Sequence, residues 1–456
     1  MRKYEKYKKS GVQWIGEIPQ NWFVSKIKYS TYVKGRVGWK GLKSSEFLEE
    51  GYAYLVTGTD FNSGKIDWKN CYSIDVKRYE EDPYIQLHSD DLLITKDGTI
   101  GKVAHIDKLK KPTCLNSGIF VVRPLNKKLY SKFLYYILIS NLFKDFFDFN
   151  STGATILHLY QNVFEKFDFP IPSVLEQTQI AKFLDYKTAQ IDAIINKKEQ
   201  LIEKLKLQRQ AIINEAVTGK KIWNGNSWSK PKEVKDSGID WLGNIPKHWT
   251  FSKAKRNTYM KGRIGWQGLK QDEFIEEGPF LITGMNFKDG VIRWDEVYHI
   301  SQERYDQAPE IQLRDGDVLM TKDGTIGKLL FVENLPGPAS LNSHLLVLRC
   351  TDGSYIPKFL YYQLMSQLFI DHIELHKTGT TFFGITQEAV GKYQILLPSI
   401  NEQEQIIKYI ESKLLIINEL SQKVKKQIGK LKQYRQSIIS EAVTGKIDLR
   451  DWKQPS

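Results

Sequence analysis

PSVLEQTQIAKFLDYKTAQIDAIINKKEQLIEKLKLQRQAIINEAVTG, residues 172–219, reads as one long helix. Ser173 and Glu176 have the S-x-x-E spacing of a capping box, whose hydroxyl and carboxylate satisfy the first free backbone N–H groups. Apolar residues recur at Ile180, Leu184, Ile191, Ile194, Leu201, Leu205 and Ile212, in steps that keep to one helical face. No Pro or Gly interrupts the run before Gly219, a left-handed stop. About 45 residues at 1.5 Å each make a rod of roughly 68 Å. A rod that long with a single apolar seam needs a second helix to cover it. The chain supplies one in PSINEQEQIIKYIESKLLIINELSQKVKKQIGKLKQYRQSIISEAVTG, residues 398–445, with its own box at Ser399 and Glu402. The second seam is Ile406, Ile410, Ile417, Leu420, Val424, Leu431 and Ile438. The pattern itself allows the two rods to lie parallel or antiparallel.

Working outward from the helices, the rest of the chain is also written twice. SGVQWIGEIPQNW (10–22) returns as SGIDWLGNIPKHW (237–249), and KGRVGWKGLK (34–43) as KGRIGWQGLK (261–270). TKDGTIGK stands unchanged at 95–102 and 321–328, LNSG (115–118) is matched by LNSH (341–344), and KFLYY occurs at 132–136 and 358–362. Each half is a globular segment followed by a long helix. LLITKDGTIGKVAHI (92–106) predicts a β-hairpin around Asp97-Gly98, and SGIFVVRP (117–124) a further strand. SKFLYYILISNLFKDFF (131–147) has helical spacing, with Ser131 as a cap and Tyr135 and Tyr136 as packing residues.

The expected fold is therefore mixed α+β. Two similar domains, 1–171 and 237–397, alternate with spacer helices at 172–222 and 398–446. A Gly-, Asn-, Ser- and Lys-rich linker at 223–236 and a tail at 447–456 complete the chain. Similar exits from both helices predict that the two termini meet.

With 41% hydrophobic and 26% charged residues, the composition fits a chain with real cores. No stretch approaches the 18 or so apolar residues of a membrane span, and MRKYEKYKKSG lacks an apolar signal region, so a cytoplasmic protein is expected. Cys71, Cys114 and Cys350 have no cysteine counterparts in the other half, so free thiols are expected. A net charge of +13 points to an anionic partner.

Enzymatic motifs fail on inspection. Gly98-Thr99-Ile100-Gly101-Lys102 is too short for a phosphate loop, and Val103 stands where Ser or Thr is needed. Asp82-Pro83-Tyr84 lacks one proline of an amino-methyltransferase signature, and its counterpart is Ala308-Pro309-Glu310. Asp91 and Lys96 lack the acidic neighbour of a nuclease site, and the eight histidines show no paired metal spacing. No catalytic, metal or cofactor residue is expected. The basic, glycine-rich KGRVGWKGLK, the hairpin tip of TKDGTIGK, Asn116-Ser117 and the 152–155 loop remain. Glycine lets backbone approach a ligand, while Arg and Lys engage phosphates or guanine edges.

These duplicated motifs, the P-S-x-x-E-Q-x-Q helix opening and the EAVTGK ending (215–220, 441–446) resemble a specificity subunit of a type I restriction–modification enzyme. The resemblance implies two target recognition domains reading a bipartite DNA site, held apart by antiparallel coiled-coil helices. Two methyltransferase subunits would carry S-adenosylmethionine, translocating restriction subunits would join for cleavage, and this chain would bind no cofactor. The nominated DNA contacts are Lys34, Arg36, Lys40, Lys96, Thr99, Asn116 and Thr155, repeated as Lys261, Arg263, Gln267, Lys322, Thr325, Asn342 and Thr381. Arg36→Ala and Arg263→Ala are each expected to weaken one half-site. Two rivals stand beside this reading: a coiled-coil adaptor with duplicated protein-binding domains, and an enzyme with an unrecognised site. Because the halves are so alike, the half-sites are expected to form a partial inverted repeat. Lys40 against Gln267, Thr59-Asp60 against Met285-Asn286, and residues 154–158 against 380–384 would supply the differences.

Overall fold

The computed structural model describes residues 2–36, 41–151, 158–239, 242–263, 269–288, 290–379 and 384–455. The chain divides into two compact units, Met1–Glu199 with Lys426–Ser456, and Gln200–Lys425. The division falls inside both long helices, Val174–Val217 and Ile400–Val443, so each unit owns part of each. In the first unit Asp192 pairs with Arg435 at 2.8 Å, Lys198 with Gln427 at 2.7 Å and Glu199 with Lys432 at 3.7 Å. From the first of these pairs to the other two, the number on one helix rises while that on the other falls, so the helices run antiparallel. In the second unit Ile213, near the end of one helix, shares a core with Ile406, Ile410 and Leu414 at the start of the other, the same direction of travel.

The first seam matches the sequence expectation at Ile180, Leu184, Ile191 and Leu205 and shifts by one residue elsewhere. Ile195 and Ile213 are buried, whereas Ile194 and Leu201 are 45% and 38% exposed. Ile180, Ile191, Ile202 and Ile213 recur every eleven residues, as do Ile406, Ile417, Ile428 and Ile439. Eleven residues over three turns is about 3.67 per turn, close to the 3.6 of a straight helix, whereas steps of three and four track a tighter supercoil and drift off it.

Half of each capping box forms. The Glu176 and Glu402 backbone N–H groups donate to Ser173 and Ser399 Oγ at 3.4 and 3.3 Å. The carboxylates reach outward instead: Glu176 accepts from the Tyr4 hydroxyl, and Glu402 from Trp249 Nε1 at 3.0 Å. The next residue explains the rest of the motif. Gln177, fully buried, accepts from Tyr130 N and donates to the Lys128 and Pro172 carbonyls. Gln403 repeats this with Ile356 N, Ser354 O and Pro398 O. One amide thus ties each helix start to the globular segment before it.

Each globular segment is layered. In the second unit a four-stranded antiparallel sheet has the order Thr258–Lys261, Leu345–Cys350, Val318–Thr321, Leu329–Phe331. A three-stranded sheet, Tyr298–His299, Ile275–Ile282 and Ala339–Leu341, covers one face. Strand alternation decides the two cores. Leu319, Leu345 and Val347 join the core shared with the smaller sheet. Val318, Met320, Leu346 and Leu348 join the core built with Phe359, Phe369 and the long helices. Burial on both faces makes such strands continuous apolar runs rather than alternating ones.

The first unit repeats this order: Thr31–Gly35, Ile119–Pro124, Leu92–Thr95, Val103–His105, then Tyr72–Ile74, Ala53–Val56, Thr113–Leu115. The hairpin and the strand after it lie where the sequence predicts. Residues 131–147 form two helices, Ser131–Leu138 and Asn141–Ser151, and Ser131 Oγ donates to Asp90 O instead of capping.

Residues 223–236, expected as a linker, are folded. Ile222–Trp223 pairs with Trp228–Ser229, Trp228 stacks on Tyr409 at 4.2 Å, and Val234–Asp236 pairs with Asn244–Pro246. The polar composition concealed two tryptophan anchors. The tail is docked as well: Asp448 N donates to Arg2 O at 2.9 Å, and Trp452 meets Phe183 at 5.3 Å. The two ends of the chain therefore meet within the first unit.

Candidate nucleic-acid interface

The repeated TKDGTIGK is a stapled hairpin tip. Thr95 Oγ1 donates to Thr99 O at 2.6 Å and accepts from Lys102 N at 2.9 Å, and Gly101 N returns to Thr95 O. Thr321 makes the same bonds to Thr325 O, Lys328 N and Gly327 N. Gly98 and Gly101 hold φ of 67° and 79°, which side chains rarely adopt, so the loop needs these glycines. The motif is unchanged between halves because its residues build the tip.

Around the tip other loops converge through backbone bonds. Lys96 N donates to Gly118 O at 2.9 Å, and Leu159 N to Lys96 O at 3.0 Å. In the second unit Lys322 N donates to His344 O and Ile385 N to Lys322 O. The turn at 283–286 lies against the same place, since a Cβ on Gly284 would stand 3.0 Å from Thr321 Cγ2. Asp323, Thr325, Lys328, Asn342, His344 and Met285 thereby line one cleft of about 630 Å³. Lys322 faces a neighbouring recess with Thr378 and Gln387.

Of the nominated residues, the structure brings Lys96, Thr99 and Asn116 to this tip in the first unit, and Lys322, Thr325 and Asn342 in the second. Asn116 and Asn342 turn their side-chain oxygens back onto Ser117 N and Ser343 N. Lys34 and Lys261 are exposed on strands Thr31–Gly35 and Thr258–Lys261. Lys40, Thr155, Gln267 and Thr381 lie outside the described residues.

Arg36 and Arg263 are placed differently from the expectation of base contacts. Arg36 is 2% exposed, with Nε on Leu115 O at 2.9 Å and Nη2 on Cys114 Sγ at 3.4 Å. Arg263 is 4% exposed and donates to Leu341 O at 2.8 Å and Ser340 Oγ at 3.0 Å. Burial lowers the Arg263 pKa and pushes the Cys114 thiol up to about 11. A basic loop sequence signals charge but not direction, and here the guanidinium closes the gap between the two sheets. Arg36→Ala should therefore lower stability by about 1–3 kcal/mol, the cost of leaving buried carbonyl groups unpaired. Denaturant titration should register that loss, and a fully stable variant with selective loss of one half-site would argue for a base contact instead.

The divergent turn also sorts itself. Asp60 Oδ2 accepts from Thr57 N at 2.7 Å, and Asn286 Oδ1 from Thr283 N at 2.8 Å, and both residues are buried, so this difference is internal. Its neighbour Met285 is 81% exposed, whereas Thr59 Oγ1 bonds Thr57 Oγ1 at 2.7 Å. Among the described residues no three His, Cys, Asp or Glu side chains are placed to hold a metal ion, and no helix is long and apolar enough to cross a membrane.

The family model for the type I restriction modification DNA specificity domain matches twice, over residues 38–204 and 264–430, each spanning a hairpin tip and its loops. The chain belongs to this family. As a specificity subunit it recognises the DNA target within the type I complex and is not the catalytic chain. The MjaVIII specificity subunit of Methanocaldococcus jannaschii is 26% identical over 95% of both chains. The EcoKI specificity subunit of Escherichia coli K12 is 24% identical over 96% of this chain and 91% of its own. A solved chain from work on complex assembly and conformational transition of the type I R-M system shares the fold. Its TM-score is 0.67 at 17% identity, over 93% of this specificity subunit and 98% of that chain.

Proposed function

We propose that each unit reads one half of a bipartite DNA target through the loops gathered at its hairpin tip, and that the two half-sites form a partial inverted repeat. The observation that carries this is a tip framed by the same bonds in both units but edged by different residues, Thr59 and Gly118 in one and Met285 and His344 in the other. A shared frame favours shared bases, and the changed edge favours one or two differences. Lys34, Lys96 and Thr99 with Lys261, Lys322 and Thr325 are the contacts we favour, the lysines for phosphates and the tip for base edges. Two methyltransferase subunits, one per unit, would supply S-adenosylmethionine and the methyl transfer, and restriction subunits would join them, in the cytoplasm where the DNA lies.

The test is selection of a randomised duplex library by the chain in complex with its methyltransferase, at several salt concentrations. Two conserved blocks of related, inverted sequence are expected, with affinity falling steeply as salt rises. Blocks without inverted similarity would remove the shared tip as a reader. Salt-insensitive, unselective retention would favour the adaptor reading, and saturation at one methyltransferase per chain would remove the two-partner stoichiometry.

A further inference from the structure

The hairpin-tip aspartate has a histidine partner in both units, but the histidine does not come from the same place. In the first unit His158 Nδ1 meets Asp97 Oδ1, while the position facing that aspartate from the Asn116 loop is Gly118. In the second unit His344 Nδ1 meets Asp323 Oδ2 at 3.3 Å, while the position equivalent to His158 is Gly384. Both glycines point at the carboxylate they leave to the histidine. A Cβ on Gly118 would stand 3.7 Å from Asp97 Cβ, and one on Gly384 would stand 3.0 Å from Asp323 Oδ1. Histidine and glycine have exchanged loops across a fixed aspartate.

Building on the DNA-recognition reading, we propose that this Asp–His pair is a specificity-determining element, and that the side from which the histidine enters is what makes the two half-sites differ. A mere latch between loops would not need relocation, because either loop alone could hold it. Relocation does change what is presented outward. His344 is 64% exposed at the side chain and lines the cleft with Met285 and Thr325, whereas His158 is 27% exposed and lies 4.5 Å from the Tyr160 ring. In the tautomer whose Nδ1–H donates to the carboxylate, Nε2 is an acceptor, while the aspartate is shared with the neighbouring lysine, Lys322 Nζ standing 2.7 Å from Asp323 Oδ2 and Lys96 Nζ 3.9 Å from Asp97 Oδ2. An acceptor there selects an exocyclic amino group, adenine N6 or cytosine N4, over the carbonyl edges of guanine and thymine. Moving the ring from one flank of the aspartate to the other moves that acceptor along the groove.

The decisive variant is G118H/H158G, which gives the first unit the arrangement of the second; a Cβ at Gly118 would meet Asp97 at an ordinary 3.7 Å, and its backbone conformation suits a side chain. Library selection with the complete methyltransferase complex should show the preferred base at one position of the first half-site moving towards that of the second. The change in relative preference should be about tenfold, the usual scale for one mismatched base pair. The second half-site should stay as it was, which also certifies that the chain is folded. H344G serves as an independent variant, relaxing one position of the second half-site alone. Unchanged base preferences with uniformly weaker binding would make the pair a latch and overturn the inference while leaving DNA recognition intact. A parent complex that selects no sequence would overturn the recognition reading and this inference with it.

Discussion

Arg123→Ala is expected to destabilise the first unit by about 3–5 kcal/mol, the loss seen when one partner of a buried ion pair is removed. Asp91 is fully buried and takes Arg123 Nε at 2.6 Å and Nη2 at 2.7 Å, with His88 N as a further donor at 2.7 Å. The same guanidinium donates to Gln86 O at 3.2 Å, and the carboxylate holds the Arg123 pKa up. Truncation strands a carboxylate where water cannot reach it and opens a void beside it. Arg349 and Asp317 repeat the geometry in the second unit at 2.6 and 2.7 Å, so the molecule carries its own control. Hydrogen exchange read by peptide mass should show Arg123→Ala weakening protection across residues 53–124, and Arg349→Ala across 279–350. A loss below about 1 kcal/mol would mean that the pair is solvated in practice, as exposed pairs are.

The second large effect is expected at Gly445. It holds φ of 72°, and a Cβ there would lie 2.4 Å from Cδ and Cγ of Pro19 and 3.2 Å from Trp22 Cη2. Left-handed backbone costs an alanine about 1–2 kcal/mol, and forcing a methyl into filled space adds about 1–3 kcal/mol. Gly445→Ala should thus cost the first unit roughly 2–5 kcal/mol. Gly219, with Pro246 Cδ at 2.4 Å, should do the same to the second. Thermal unfolding of each variant, followed by limited proteolysis to locate the loosened unit, is the measurement. Cleavage in the second unit of Gly445→Ala would contradict the assignment.

The features legible in the sequence were those set by spacing. The repeat, the hairpin and the two rods follow from periodicity and turn chemistry, which act locally. What stayed hidden depends on direction in three dimensions. Arg36 sits in a loop rich in glycine and lysine and still turns inward, because only the folded sheets offer Leu115 O. Asp60 and Asn286 differ in sequence yet do one buried job. The 223–236 stretch reads as a linker because its few apolar residues are outnumbered, although Trp228 stacks on Tyr409. LNSG and LNSH looked like a match with one slip. Only the placement of Asp97 and Asp323 shows that the slip answers a second one forty residues on.

The first unit is assembled from residues 1–199 and 426–456, whereas the second is the uninterrupted run 200–425. On the ribosome the usual order, N-terminal part first, is therefore reversed. The unit that begins the chain cannot close until Arg435 reaches Asp192 and Gly445 reaches Pro19. The unit that follows has everything it needs some twenty residues earlier. A premature stop within the last helical turns would leave the second unit folded and the first one open, so a lesion at the end of the message would disable the unit that its beginning encodes.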